Sequence, residues 1–207
     1  MIEGAFTVAI DGPAAAGKGT ISRAVAERFG MAHLDTGLLY RAVGAQALAG
    51  ADPVAAARSL HMAELERDDL RTPEVAREAS RVATDPEVRR ALVEFQRRIA
   101  RRPGGAVLDG RDIGTVIAPE AEVKLFVTAS AEARARRRFE ELAAKGLAGG
   151  YDEVLADVRA RDERDTGRAD APLAQAEGAE LIDTTELSVA EAVARAAAAV
   201  ERALAAR

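Results

Sequence analysis

Nine consecutive residues, Gly12-Pro13-Ala14-Ala15-Ala16-Gly17-Lys18-Gly19-Thr20, separate an apolar run from a helical stretch. Small residues in such a loop let successive backbone N–H groups converge on anionic oxygens, and the following helix turns its positive end to the same point. Lys18 adds a point charge able to reach the outer phosphates of a nucleoside triphosphate. The strand–loop–helix context favours a phosphate loop over a glycine turn with a solvated lysine. One detail departs from the strict pattern, because the hydroxyl expected directly after the lysine stands one place on, at Thr20. The chain has no NKxD guanine motif, which argues against a GTPase switch.

Four further segments concentrate charge. In LDTGLLYR, Asp35, Thr36, Tyr40 and Arg41 lie close together. Thr36 suits a helix N-cap, and Arg41, on the second turn of that helix, either faces an anion or lies in solvent. In LDGRDIGTV, an apolar run ends in Asp109, the form of an acid that orders magnesium or its water. The planar fork of Arg111 suits a phosphate. Asp112 beside phosphates would be repelled unless it faces elsewhere, such as an exocyclic amine on a base; a surface Arg–Asp pair is the alternative. In VRARDERDTGRADAPL, a continuing helix would put Arg161, Arg164, Asp165 and Arg168 on one stripe. That stretch reads either as a solvated mixed-charge helix or as a lid over transferring phosphates. Finally, TPEVAREASRVATDPEVRRAL sets Ser80 and Arg89 on either side of an Asp85-Pro86 turn, where composition alone would make both surface residues.

The elements that must hold these groups alternate. Strands are expected at Phe6–Asp11, Ala32–Asp35, Ala106–Asp109, Val123–Thr128 and Glu180–Asp183, with helical stretches near 17–29, 37–50, 73–101, 130–145, 151–165 and 188–206. Such alternation predicts right-handed crossovers and a parallel sheet covered on both faces, with ligands at the carboxyl ends of its strands. Residues 36–103 hold no convincing strand and are too long for one crossover, so a helical excursion should stand out from the sheet. A second runs from about 140 to 170, between glycine-rich turns. His33 and His61 have no evident partners and are expected to be structural.

The bulk numbers fit one core: 207 residues, 48% hydrophobic and 30% charged. A net charge of -5 argues against broad nucleic-acid binding. The absence of cysteine fits a reducing cytoplasm. Neither a signal peptide nor an apolar run near the roughly 20 residues of a membrane span is expected, and nothing demands more than a monomer.

Taken together and in this order, IDGPAAAGKGT, LDTGLLYR, TPEVAREAS…PEVRRAL, LDGRDIGTV, RARDERDTGRADAPL and LIDTTELSVAEAV resemble the bacterial cytidylate kinases over almost the whole chain. LDGRDIGTV and the RDERD segment are more specific than the loop, which adenylate kinases share. The displaced Thr20 then marks nucleoside-monophosphate kinases. The resemblance implies an α/β P-loop kinase: a five-stranded parallel sheet flanked by helices in a single domain. Its core would be 1–35, 104–140 and 170–207, its monophosphate-binding excursion 36–103, and its lid about 141–169.

The implied reaction moves the γ-phosphoryl group of ATP to CMP or dCMP with magnesium, giving ADP and the diphosphate. Gly12–Thr20 would hold ATP, and Thr20 and Asp109 would meet the metal, the latter through water. Arg41 and Arg111 would take the acceptor phosphate, with Thr36 and Tyr40 nearby. Arg89 and Asp112 would read cytosine, an acid accepting from the 4-amino group. Ser80, Arg161 and Asp165 would lie near the sugar. Lys18, Arg111, Arg164 and Arg168 would face the transferring phosphoryl. A kinase for UMP, AMP or a metabolite, or a nucleotide-dependent switch, are the competing readings. One departure stands out: many bacterial members carry a small sheet in the excursion, whereas GADPVAAARSLHMAELERDDLR shows no alternating strands, so the insert looks trimmed.

Overall fold

The protein is described by a computed structural model over residue 2, residues 4–147 and residues 149–207. Five parallel strands, β1 Thr7–Asp11, β2 Ala32–Asp35, β3 Ala106–Gly110, β4 Val123–Thr128 and β5 Glu180–Asp183, form one sheet in the order β2-β3-β1-β4-β5. The order reverses about β1, so the turn after β1 lies at the switch point where such sheets bind their ligands. Every residue of β1 and β3 is buried, as expected of central strands covered on both faces.

Each face has its own core. Phe6, Val8, Ile10 and Ile182 pack under α1 (Lys18–Phe29) and the final helix α8 (Val189–Ala205). Ala9, Leu34, Leu108 and Leu92 pack on the other side with α2 (Thr36–Leu48) and α5 (Pro86–Ala100). A serine–glutamate capping box starts α8, with the Glu191 amide donating to Ser188 Oγ at 3.2 Å.

The helical stretch expected over 73–101 divides into α4 (Pro73–Val82) and α5. Asp85 accepts from the amide of Glu87 at 2.8 Å, and Pro86 opens the new helix. Between α2 and α4 the chain holds α3 (Pro53–Arg58) and two short 3-10 turns, with no strand among the described residues. Helices α2 and α4 of this excursion touch backbone to backbone, since a Cβ on Gly44 would lie 2.9 Å from the amide nitrogen of Ala79. The second excursion is a helical hairpin, α6 (Ala131–Ala144) and α7 (Tyr151–Gly167), with a small core of Ala135, Leu142, Val154 and Val158. The Phe139 and Tyr151 rings meet edge to face, 6.3 Å between centroids. No helix among the described residues is long and apolar enough to cross a membrane.

Candidate active site

The loop after β1 folds as its small residues require. Gly12 has φ +145°, and a Cβ there would sit 1.9 Å from the carbonyl oxygen of Val127, so the chain can pass β4 only with glycine. Three loop carbonyls are already engaged: Pro13 by Lys18 Nζ at 2.7 Å, Ala14 by Arg134 at 3.3 Å and Ala16 by Thr184 Oγ1 at 2.9 Å. Burial, then the nearby Arg111 guanidinium, push the Lys18 ammonium down to about 7.

In front of the loop lies a cavity of about 530 Å³ lined by Ala14, Ala15 and Gly17–Thr20, by the strand ends Asp35, Asp109 and Gly110, and by residues of both excursions. Ten of its lining side chains are Lys or Arg and four are Asp or Glu. Arg41, Arg111, Arg161 and Arg164 all line it. Burial and the Arg111 charge lower Arg161 to about 9, and burial with the Arg138 charge lowers Arg41 to about 10. Arg161 Nε is buried with no hydrogen-bond partner. Cations gathered against their own repulsion, with a donor unmet, make this chamber a receptor for anions.

The acidic side of the chamber is two adjacent strand ends. Asp35 of β2 and Asp109 of β3 face each other in register. Burial, then the Asp109 charge, raise the Asp35 carboxyl. His33 Nε2 lies 2.7 Å from Asp109 Oδ1, which leaves Oδ2 facing Gly19 across about 4.0 Å from where a Cβ would sit. His33 thus has a partner that its place in a strand concealed. Thr36 is not the helix cap: Asp35 occupies that position, and Thr36 Oγ1 donates instead to the Asp109 carbonyl at 2.8 Å. Gly110 allows that approach, because a Cβ on it would stand 2.6 Å from Thr36 Oγ1.

The turn carrying Arg111 and Asp112 is set by Asp11, the last residue of β1. Its carboxylate accepts from the amides of Ile113 at 2.8 Å and Gly114 at 2.7 Å, opening a π-helical turn over Ile113–Ile117. Burial raises the Asp11 carboxyl to about 6 in spite of those bonds.

Behind the chamber lies a second cluster. Arg89, 2% exposed, donates to Asp112, to the Tyr40 hydroxyl at 3.3 Å and to Asp170 at 3.0 Å. Arg168 stands here too, 3.7 Å from Asp112, with Nη2 buried and without a hydrogen bond. The resemblance implied a place for Arg168 at the transferring phosphoryl; in this structure it does not line the chamber, because α7 ends at Gly167 and the chain turns toward α5. Two further contacts hold chamber arginines: Arg111 donates to Asp165 at 2.6 Å and Arg164 to Ser80 Oγ at 3.1 Å. The loop residues Gly12, Pro13 and Ala16 shape the chamber without lining it.

Sequence reasoning missed Arg23, Arg71, Arg77, Arg137 and Arg138 in the lining, named Asp35 without giving it a role, and missed Asp11 and Asp170 outside the lining. The arginine run before Phe139 was a visible signal, but which of its members face inward depends on a helix phase the run itself does not fix.

The cytidylate kinase family model matches residues 8–68 and 59–202. A cytidylate kinase of Cereibacter sphaeroides is 69% identical over 196 residues, covering 95% of this chain and 95% of its own. One from Azorhizobium caulinodans is 57% identical over 202 residues, covering 95% and 98%. A solved gluconokinase from Sinorhizobium meliloti 1021 has the same fold, with a TM-score of 0.50 at 19% identity over 97% of this chain and 94% of its own. Matched from the first strand to the last helix, the chain belongs to the cytidylate kinase family.

Proposed function

We propose that the protein transfers the γ-phosphoryl group of ATP to CMP or dCMP, giving ADP and CDP or dCDP. The observation that carries this reading is the pairing of an arginine chamber at the phosphate loop with the buried Arg89–Asp112–Tyr40 cluster, the two meeting at the consecutive residues Arg111 and Asp112. In this reading the loop and Lys18 hold the donor phosphates, and Arg41 and Arg111 hold the phosphate of the acceptor. Asp112 accepts from the cytosine 4-amino group, and Arg89 donates to the acceptor atoms of the ring beside it. Ser80 and Asp165 lie between phosphate and base, near the sugar. Arg168, against Asp112, serves the acceptor side, while Arg161 and Arg164 face the phosphates.

Phosphoryl transfer leaves the protein little covalent work, so catalysis here is positioning and charge stabilisation. The acceptor phosphate is ionised and nucleophilic already, so no general base is needed. Lys18, Arg111, Arg161 and Arg164 offer positive charge where the equatorial oxygens develop theirs.

The site fits a hydrated magnesium ion. No trio of His, Cys, Asp or Glu among the described residues gathers around a bare ion, yet two neighbouring carboxylates, Asp35 and Asp109, face the loop beside Thr20. Those residues would hold the ion through its water, and when bound it would neutralise phosphate charge. The reaction belongs to the cytoplasm, with the chain acting as a monomer.

A coupled ADP-release assay across CMP, dCMP, UMP and AMP tests the assignment. CMP and dCMP are expected to be the best acceptors; equal or better turnover with AMP would sink the cytosine reading. ATP consumption that no monophosphate stimulates would favour a nucleotide-dependent switch instead. Asp112→Ala should lower kcat/KM for CMP by the equivalent of about 1–3 kcal/mol, typical of a lost base contact.

A further inference from the structure

Asp170 belongs to neither the phosphate chamber nor the residues assigned above to the acceptor, yet it completes the surroundings of Arg89. Its Oδ2 accepts from Arg89 Nε at 3.0 Å across 81 positions of sequence. The two ends of this pair differ sharply: the arginine side chain is 2% exposed and the aspartate 54%. An exposed carboxylate reaching in to a buried guanidinium is unlike a surface ion pair, in which both partners remain solvated.

The chain around Asp170 is built to hold it there. Arg168 Nε donates to the carbonyl of Ala171 at 2.6 Å, and the amide of Leu173 returns to the carbonyl of Asp165 at 2.8 Å. Ala171 takes a left-handed φ of 48°, which an alanine adopts only when its surroundings impose it. The loop thus closes on itself behind α7 and presents position 170 to α5.

Charge gives the contact its purpose. Arg89 and Arg168 both approach Asp112, so without Asp170 two guanidinium groups would lean on a single carboxylate. Asp112 would then be drawn fully into ion pairing. Asp170 takes the Nε side of Arg89 and the Tyr40 hydroxyl takes one Nη1 donor, so the guanidinium is fixed while two N–H groups stay unassigned.

We propose that Asp170 is a positioning residue for acceptor recognition, gripping Arg89 from the loop behind the α6–α7 hairpin so that the placement of the hairpin and the setting of the base-reading guanidinium are coupled. This rests on the reading that Arg89 and Asp112 contact the base. An acceptor oxygen at the base edge, such as that of uracil, tolerates an excess of guanidinium better than an amine does. Loss of the Asp170 charge should therefore penalise CMP more than UMP.

The test compares Asp170→Asn, Asp170→Glu and Arg89→Gln in steady-state assays with CMP, UMP and varied ATP. Asp170→Asn should lower kcat/KM for CMP about tenfold, a modest value for a charge-assisted bond with one partner half in solvent. Most of that loss should appear in KM for CMP, with KM for ATP within about twofold and the preference for CMP over UMP narrowed. Asp170→Glu should recover most of it. If Arg89→Gln raises KM for CMP while Asp170→Asn does not, the proposal for Asp170 falls and the base reading stands. If Arg89→Gln leaves KM for CMP unchanged, the base reading itself falls and takes the proposal with it. Equal rises in KM for CMP and ATP in Asp170→Asn would mark general loosening and overturn the proposal.

Discussion

Lys18 is the residue at which burial and function meet most directly. Its ammonium sits among guanidiniums and is lowered to about 7 by burial and Arg111. Above that pH the side chain becomes neutral in the free protein, whereas bound phosphate favours the charged form. Nucleotide binding should therefore take up a proton near pH 7.5, and KM for ATP should rise steadily from pH 7 to 9. Calorimetry in two buffers of different ionisation enthalpy checks the uptake; a binding heat independent of buffer would contradict it. Lys18→Met should lower kcat by at least about 100-fold, the usual loss for one donor to developing charge. The motif residues were legible because glycine, lysine and paired charges stand in unusual order at strand ends. Asp170 and His33 were not. An aspartate in a polar loop looks like any solvated aspartate, and a histidine in a strand shows no partner until β3 lies beside β2.

At the scale of elements, the five strands were read from sequence nearly to the residue, since the short apolar runs of β1 and β3, buried where both faces are covered, each end in an aspartate that marks the strand end. The edge strand β5, with only Ile182 buried, was recognisable by its flanking turns more than by its own pattern. Thr36 was misread as a cap because Asp35 and Thr36 are both good cap formers, and only the position of the Asp109 carbonyl decides between them. The α6–α7 hairpin stayed ambiguous between solvated helix and lid, since its apolar face is only four buried residues wide. The contact of α2 with α4 was invisible altogether: nothing in the sequence marks Gly44 as the place where α4 seats. Gly44→Ala should push α4, and Ser80 on it, away from the chamber. We expect a loss of about 1–3 kcal/mol in denaturant unfolding, as for an overpacked core, and a higher KM for CMP with KM for ATP little changed. Retained stability with unchanged CMP kinetics would show that α4 seats elsewhere.

The molecule as a whole carries a charge of -5, yet its chamber is lined by ten cationic and four acidic side chains. Nucleotides should be drawn to one mouth of an otherwise repelling surface, so KM for ATP and CMP should climb with ionic strength as screening shortens the field. A flat response between about 20 and 300 mM salt, where the screening length falls from roughly 20 to 6 Å, would argue against steering. The same molecule-wide view gives the two tyrosines an optical meaning. The chain has no tryptophan, and its only two tyrosines lie at Arg89 and in the hairpin core. Ultraviolet emission therefore comes from two built-in lamps, one beside Arg89 and one in the α6–α7 hairpin. CMP should dim or brighten Tyr40, and Tyr40→Phe should abolish that response. A signal persisting in Tyr40→Phe and lost in Tyr151→Phe would instead report the hairpin, separating base capture from closure without any added label.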